Sequence, residues 1–253
     1  MAFEQLVADY RTVRIGTWNV EYAADAAKNE RRRRRLQEAD CDIWILTETH
    51  DDLTPGPEYV AAHTAQRLTG RAGARWTTIW SRYPIEQTLP VEDEHRTVAA
   101  LLSCPQGPLI VFGTVLPWHS DAGPRSIAPS WAEFYRVTPQ QGAEWLAMRR
   151  AHPDAALCVA GDFNMNLGGK HHYGTVKGRQ MLRDSLAGAG LDCVTEWTRL
   201  PEAALRSSPI DHIALSAELA SRAQLSSAWE GTDADGIRLS DHSGLAVSIA
   251  APT

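Results

Sequence analysis

Short apolar runs that stop at polar side chains recur along the chain and predict buried strands. The run 156–160 is apolar throughout and stops at Gly161, a residue that reaches backbone angles closed to others. Residues 13–19 alternate between apolar and other side chains, and 42–48 enclose an apolar stretch between two acids. Further strands are predicted at 76–85, where the run enters a turn, at 97–102 and 109–115 as an antiparallel hairpin, and at 209–215 and 245–250.

Helical composition predicts helices at 23–39, 131–150 and 176–187. Pro139 is expected to break or kink the second of them. The first contains the arginine run 31–35, which covers more than one helical turn and so predicts a solvated face rather than a phosphate-binding stripe. About ten strands with these helices between them predict an α/β fold of packed sheets. We expect one domain over residues 1–253, with a core from about 13 to 250.

Composition and charge limit the classes of function that are open to the chain. Apolar residues make up 43% of the 253 positions and charged residues 22%, an ordinary balance for a globular protein with a sizeable core. The formal net charge of −6 argues against a strong whole-protein attraction to nucleic acid, while a local basic cleft remains open. Four widely spaced cysteines predict buried reduced thiols, and no apolar run approaches the roughly 18 residues that span a membrane. We expect a cytoplasmic protein without a membrane span, and a monomer.

Polar side chains occupy the ends of the predicted strands, from the first strand to the last. They are Asn19, Glu48, Asp162, Asn164, Asp211 and the pair Asp241-His242. Taken singly, each has a structural explanation: Asp162 and Asn164 suit a capped turn, and Glu48 suits a surface charge. Because a fold can bring the ends of many strands to one rim, their recurrence instead predicts a shared site.

The chemistry of these side chains points to a divalent cation and a phosphate ester. Carboxylate and amide oxygens favour Mg²⁺ or Mn²⁺. Zinc is disfavoured, because these positions carry no closely spaced pair of Cys or His ligands. An Asp–His pair beside such an ion can work as an acid/base unit or bind phosphate. The combination fits phosphate-ester hydrolysis, in which a carboxylate aligns the attacking water.

Six short motifs follow one another along the chain. They are Trp18-Asn19, Thr47-Glu48, Ser81-Arg82-Tyr83-Pro84, Gly161-Asp162-Phe163-Asn164, Ile210-Asp211-His212 and Ser240-Asp241-His242. In this order they resemble the endonuclease/exonuclease/phosphatase superfamily, and the resemblance runs from about residue 13 to residue 250. It implies a four-layer α/β sandwich of two mixed β-sheets packed face to face, with helices outside and a site at the rim where the sheets meet.

The resemblance implies a metal site and names its ligands. Glu48 would be the principal ligand, with Asn19 beside it and Asp241 also in the set. Glu21 falls where some members of the family place a further acid, which is a weaker correspondence. The implied cofactor is Mg²⁺ or Mn²⁺.

The resemblance also implies how the remaining residues would act on substrate. Asp162 would orient or deprotonate the attacking water, and Asn164 would bond the scissile phosphate. His242, held by Asp241, would contact or protonate a phosphate oxygen. Asp211 would support the metal or the leaving group.

The chain departs from the family pattern in one strand. Many members carry a His or Tyr where this chain has Val115. His119, four residues further on, could supply the imidazole from another backbone position, or it could be a loop histidine without a role. Lys170, His171 and His172 follow Asn164 in a polar loop, and they either contact substrate or are simply solvated.

The function expected from these features is divalent-metal-dependent hydrolysis of a phosphate ester, by a phosphodiesterase or nuclease-type reaction. A phosphomonoesterase, or a phosphodiesterase for lipids or small molecules, is the alternative within the same fold. An inactive member that only binds a phosphorylated ligand is disfavoured, because Glu48, Asp162, Asp241 and His242 are all present. The expected partner is a phosphate-ester substrate, with nucleic acid among the candidates.

Overall fold

A computed structural model describes residues 12–23, 25–65, 71–125 and 127–252. The strands are β1 Val13–Asn19, β2 Ile43–His50, β3 Val60–His63, β4 Ala74–Ser81, β5 Ile85–Leu89, β6 Thr97–Cys104, β7 Gly107–Val115, β8 Ala156–Asp162, β9 Leu191–Cys193, β10 Asp211–Ser216, β11 Ala223–Trp229 and β12 Gly244–Ile249. The helices are α1 Ala26–Ala39, α2 Ala132–Ala151, α3 Val176–Gly188 and the short α4 Ala217–Ala220.

The strands form two six-stranded mixed sheets. The first has the order β11-β12-β1-β2-β4-β3 and the second β5-β6-β7-β8-β10-β9. Strands β1 and β2 are parallel, as are β7 and β8, and the remaining neighbours are antiparallel. The predicted hairpin is confirmed as β6 and β7, which pair from Thr97 with Thr114 to Cys104 with Gly107.

Three apolar clusters hold the layers together. Between the sheets, Ile15 and Ile45 of the first pack with Val111 and Ile213 of the second. Outside the second sheet, Phe112 packs edge-on against Trp145 of α2, with ring centroids 6.1 Å apart. Outside the first sheet, Trp44 of β2 and Leu36 of α1 belong to a third cluster. Helix, sheet, sheet and helix thus form four layers, which confirms the predicted α/β sandwich.

The sequence-based strands miss β3, β5, β9 and β11, which are the four edge strands of the two sheets. Edge strands are short and carry polar side chains that discourage pairing with other chains. In β5, for example, three successive residues from Glu86 to Thr88 are exposed. Such strands lack the apolar run by which the inner strands were recognised.

Of the break or kink predicted at Pro139, the break is wrong, because helix α2 runs without interruption through this residue. Proline removes one backbone N–H from the helix and costs stability, but tertiary packing can outweigh that cost. Val137, Thr138 and Gln141 are buried on either side of the proline, and Trp145 is buried one turn further on. This packing holds the helix against the second sheet.

The arginine run of α1 is not a uniformly solvated face. Arg32 is only 2% exposed, and it donates to the Leu239 carbonyl oxygen from Nε at 2.9 Å and from Nη2 at 2.5 Å. Arg31 donates to the carboxylates of Asp233 at 2.6 Å and Asp235 at 2.7 Å. Two arginines therefore anchor the segment that leads into Asp241-His242.

All four cysteines are free thiols; Cys41 and Cys158 are buried, and Cys104 and Cys193 are partly exposed. Across the described residues, every helix is too short or too polar to cross a membrane.

Candidate active site

Two strands from each sheet bring polar side chains together at one rim. In the first sheet, Asn19 closes β1 in parallel register with Thr47 of β2, and Glu48 follows Thr47. In the second sheet, Asp162 closes β8 and lies opposite Asp211, the first residue of β10. Asn19, Asp162 and Asp211 thus lie at strand ends as predicted, whereas Glu48 lies inside β2, which continues to His50.

Gly161 is required by the close approach of β7 to β8. Its φ is +135°, and a Cβ at this position would lie 2.1 Å from the carbonyl oxygen of Thr114. Any side chain would therefore force the two strands apart. The turn that follows is held to β7 by the Leu116 amide, which donates to the Asp162 carbonyl at 2.9 Å.

Asp162 is buried and held on both carboxylate oxygens. The Asn19 side-chain amide donates to Oδ2 at 3.2 Å, and the backbone N–H of Asn164 donates to Oδ1 at 2.9 Å. The Asn164 side-chain amide donates to the Leu116 carbonyl at 2.9 Å. A side-chain amide has two N–H groups, so Asn164 keeps one for another acceptor.

His242 is held by Asp211, and the predicted partner Asp241 is wrong. The Nδ1 of His242 lies 2.6 Å from Oδ2 of Asp211. Asp241 has a side chain that is 53% exposed, and its Oδ1 is 4.0 Å from Nε2 of His242. Adjacent residues project in different directions here, so the neighbour in the chain faces solvent while a carboxylate from β10 meets the ring.

Ser240 ties the His242 turn to the first sheet. Its hydroxyl donates to the Asn19 carbonyl at 2.6 Å and accepts the His242 backbone N–H at 3.0 Å. The Trp18 indole N–H donates to the His242 carbonyl at 3.1 Å. The imidazole is therefore positioned by both sheets.

Burial and neighbouring charges shift the site's pKa values. Burial raises the pKa of Asp162 to about 7; the carboxylates of Asp211 and Glu48 add to the rise, and His242 opposes it. Burial alone would lower the pKa of His242, but the carboxylates of Asp211 and Asp162 outweigh it and bring the value to about 10. These carboxylates favour the charged form of the His242 imidazole, and its Nε2 is not part of the Asp211 contact.

Asp162, Asp211 and His242 form the one acid and histidine cluster within the described residues whose possible ligand atoms all lie within 4.8 Å of one another. Hard divalent cations prefer oxygen ligands, so the carboxylates of Asp162 and Asp211 suit such an ion better than the imidazole does. Oδ1 of Asp211 is buried, and no described donor of ordinary geometry reaches it. This oxygen, with Glu48 and Asn19 at the same rim, fits a hard divalent cation such as Mg²⁺ or Mn²⁺.

The other predicted site residues lie further out. Val115 is buried beside Asp162 in parallel register, so this position carries no polar group. His119 is exposed, with its ring 5.8 Å from that of Trp131. Lys170, His171 and His172 are exposed in the loop after Asn164. In the described parts of the chain, no hydrogen bond links any of them to Asp162, Asp211 or His242.

Arg179 is a structural residue of this region that the sequence did not reveal. It is 5% exposed and donates to the Asn166 carbonyl at 2.7 Å, the Asn166 side-chain oxygen at 2.5 Å and the Tyr173 carbonyl at 2.8 Å. These bonds fix the loop that follows Asn164. Arginines are usually exposed, so its position in a helix gave no sign of burial.

Several solved structures share the fold across nearly their whole length. An AP endonuclease, LMAP from Leishmania major, is 17% identical with a TM-score of 0.70, covering 98% of this chain and 91% of its own. The endonuclease domain of TRAS1, a telomere-specific non-LTR retrotransposon, is 14% identical with a TM-score of 0.64, covering 94% and 98%. Truncated Caenorhabditis elegans TDP2 is 14% identical with a TM-score of 0.63, covering 95% and 98%.

No curated protein matches the sequence. A family profile does: that of the Endonuclease/Exonuclease/phosphatase family matches residues 16–242, which is most of the chain. The match spans every strand end of the site, from Asn19 to His242. The chain therefore belongs to the Endonuclease/Exonuclease/phosphatase family.

Proposed function

We propose that this protein is a divalent-metal-dependent phosphodiesterase. The observation that carries the proposal is the buried pair of Asp211 and His242 beside Asp162, at a rim lined by acids. This pair places the imidazole of His242, a positively charged hydrogen-bond donor, next to the carboxylate of Asp162, whose pKa lies near neutrality. Such neighbours, with pKa values pushed apart, are typical of acid and base roles.

Asp162 is the group assigned to the attacking water. Its pKa of about 7 lets it accept a proton from the water as the water oxygen bonds to phosphorus. Asn19 and the Asn164 backbone fix the carboxylate, so it does not have to reorient. The P–O bond to the leaving oxygen breaks as the new bond forms, and the leaving oxygen keeps the electron pair and takes a proton from solvent water.

His242 and Asn164 are assigned to the phosphate. The Nε2–H of the imidazolium donates to a phosphate oxygen, and Asp211 keeps the ring charged and oriented. The second N–H of the Asn164 amide donates to another phosphate oxygen. These fixed donors stabilise the charge that develops on the phosphoryl group.

Glu48 and Asn19 are assigned to the metal, together with the carboxylates of Asp162 and Asp211; Asn19 donates to Asp162, and the charge of Glu48 helps to raise the pKa of Asp162. A bound Mg²⁺ or Mn²⁺ would supply neutralisation of negative charge on the phosphate. Asp241 is assigned an outer role, because its side chain faces solvent.

Hydrolysis of bis(p-nitrophenyl) phosphate with Mg²⁺ or Mn²⁺, and with chelator, tests the proposal. Plasmid DNA, abasic duplex, RNA, sphingomyelin and inositol phosphates then define the substrate. Asp162→Asn and His242→Ala should each abolish metal-dependent hydrolysis while the thermal unfolding transition persists. Exposed matched controls are Asp154→Asn and His95→Ala, which should retain activity. Wild-type rates in both site variants would refute the assignment.

A further inference from the structure

A strained turn follows β1 and begins two residues after Asn19. Glu21, Tyr22 and Ala23 have φ values of +48°, +64° and +41°, which places three successive non-glycine residues in the left-handed region. A side chain crowds the backbone in this region, so such residues persist only where their surroundings hold them. Strain of this kind is concentrated at functional sites, and this turn adjoins a side chain of the candidate active site.

The turn is held at its far end by the core and at Glu21 by an ion pair. The Ala23 carbonyl accepts a hydrogen bond from the side-chain amide of Asn29, a buried residue of α1, at 2.5 Å. Nη2 of Arg238 donates to Oε1 of Glu21 at 2.7 Å. Glu21 and Arg238 are 217 positions apart, so their ion pair joins the turn after β1 to the segment that leads into His242.

The backbone of Glu21 fixes the orientation of the Asn19 side chain. The Glu21 N–H donates to Oδ1 of Asn19 at 2.9 Å, and the side-chain amide of Asn19 donates to Oδ2 of Asp162 at 3.2 Å. Because an N–H group needs an acceptor, the Asn19 amide turns its oxygen toward Glu21 and its own N–H groups toward Asp162. Without the Glu21 N–H, the amide is free to rotate and to face the Asp162 carboxylate with an oxygen, which repels it. Oδ1 has a second lone pair, which stays available to a metal ion.

Glu21 is the main partner of Arg238. Oδ2 of Asp241 lies 3.8 Å from the same Nη2, which is beyond the length of a hydrogen bond. The side chain of Glu21 is 33% exposed and that of Asp241 is 53% exposed, so solvent screens the contact with Glu21 less. The carboxylate of Glu21 is thus engaged by a guanidinium, which disfavours Glu21 as a ligand for the metal.

We propose that Glu21 and Arg238 are positioning residues. Their ion pair keeps the strained turn in place, so that the Glu21 N–H stays on Asn19 and Asn19 presents its amide to Asp162. The inference rests on the proposed function, because it assumes that Asp162 acts on the attacking water. It gives Glu21 a role other than that of a further acid at the metal.

Amide hydrogen exchange tests the positioning contact without metal or substrate. In the metal-free protein, NMR gives the exchange rate of the Glu21 backbone N–H for wild type, Arg238→Met and the control Arg150→Met, which changes an exposed arginine of α2. We expect Arg238→Met to speed this exchange about tenfold, because the turn opens more often once the Glu21 side chain is released. Arg150→Met should match wild type. All three proteins should melt at nearly the same temperature, since an exposed ion pair adds little to stability.

Kinetics with bis(p-nitrophenyl) phosphate and saturating Mn²⁺ test the effect on the reaction. Glu21→Gln and Arg238→Met should each lower kcat about tenfold with KM unchanged, because the alignment of Asp162 is lost while substrate binding is kept. The double variant should lose no more than either single variant, as expected when both residues act through one contact. Arg238→Lys should keep most of kcat, since one charged nitrogen makes the contact. Glu202→Gln, which changes an exposed carboxylate elsewhere, should match wild type.

Metal binding distinguishes a positioning residue from a metal ligand. Calorimetric titration with Mn²⁺ in the absence of substrate should give the wild-type Kd for both Glu21→Gln and Arg238→Met. If Glu21 were a ligand, Glu21→Gln would weaken Mn²⁺ binding, and Arg238→Met would strengthen it by releasing the carboxylate.

Three results would overturn the proposal: wild-type exchange of the Glu21 amide in Arg238→Met, full kcat in both single variants, or opposite shifts of the Kd for Mn²⁺ in the two. These failures are distinct from failure of the proposed function. If wild type hydrolyses bis(p-nitrophenyl) phosphate and Asp162→Asn does not, the catalytic assignment stands whatever the Glu21 and Arg238 variants do. A wild type without metal-dependent hydrolysis would refute the proposed function, while exchange of the Glu21 amide still decides whether Arg238 holds the turn.

Discussion

The chain contains two Asp-His dipeptides at the same rim, and their histidines have opposite properties. His212 is fully buried, with Nε2 3.1 Å from the Met165 carbonyl and Nδ1 3.3 Å from the Thr195 hydroxyl. Burial lowers its pKa to about 4. His242 is also largely buried, yet the carboxylates of Asp211 and Asp162 overcome burial and raise its pKa to about 10. The pKa values of the two imidazoles are thus shifted in opposite directions in identical dipeptides, and the difference lies in what faces each ring.

The two dipeptides also exchange partners. Asp211, from the first, binds His242, from the second. His212 bonds to loop atoms on the inner side and becomes structural, while Asp241 faces solvent. The functional pair is therefore assembled from β10 and the turn before β12, and each dipeptide contributes one member.

The largest expected effect is on kcat, and it distinguishes Asp211 from Asp241. Asp211→Asn should lower kcat by about 10²- to 10⁴-fold, because His242 loses the charge that keeps its ring protonated and oriented. Asp241→Asn should cost less than about tenfold, since that carboxylate is exposed and 4.0 Å from the ring. Rates with Mn²⁺ and bis(p-nitrophenyl) phosphate measure both. Equal losses would show that the pairing seen here does not govern catalysis.

The inner strands and their polar ends could both be predicted from the sequence, because both depend on the contrast between apolar and polar residues. Strands covered on both faces must be apolar along their length, so a polar residue at Asn19, Glu48 or Asp162 marks where the apolar run stops, although Asn19 and Asp162 are themselves buried. Edge strands such as β11 are half exposed and lack that contrast. Prediction from pattern therefore succeeds where the layers enclose a strand and fails at the sheet margins.

The hydrogen-bond partners of individual side chains could not be predicted from the sequence in the same way. The dipeptide Asp241-His242 suggests a pair, but the direction of each side chain depends on Ser240 and Trp18, which turn the His242 backbone toward β10. Arg32 and Arg179 are buried because distant carbonyl groups accept their N–H bonds. Long-range contacts of this kind leave no periodic signal in the sequence.

We expect His212 to stabilise the fold rather than to take part in catalysis. His212→Gln should lower the free energy of unfolding by about 3 kcal/mol, because it leaves the Met165 carbonyl and the Thr195 hydroxyl poorly satisfied in the interior. The folded fraction should keep much of its kcat. His242→Gln should lose kcat, and it should also lose stability at neutral pH because the buried carboxylate of Asp211 is left without its imidazole partner. Urea unfolding combined with active-site rates separates the cases, and loss of kcat without loss of stability in His212→Gln would contradict the structural role.

The smallest effect is the pH dependence of stability, for which the two histidines act in opposite directions. A folded pKa of about 4 against an unfolded value of about 6.5 means that His212 contributes nothing above pH 6.5 and destabilises the fold as pH falls. Between pH 7 and pH 5 the loss amounts to roughly 2 kcal/mol. His242, with its raised pKa, gives stability that is present below pH 6.5 and lost as pH rises toward 10.

Urea unfolding of wild type, His212→Gln and His242→Gln from pH 5 to pH 9 measures both slopes. Removing His212 should flatten the acid side of the profile, because no neutral ring then has to be protonated on unfolding. Removing His242 should flatten the alkaline side. If His212→Gln kept the full acid loss, the neutral state of that ring would be wrong. The contrast between the two dipeptides would then rest on geometry alone, with no difference in charge behind it.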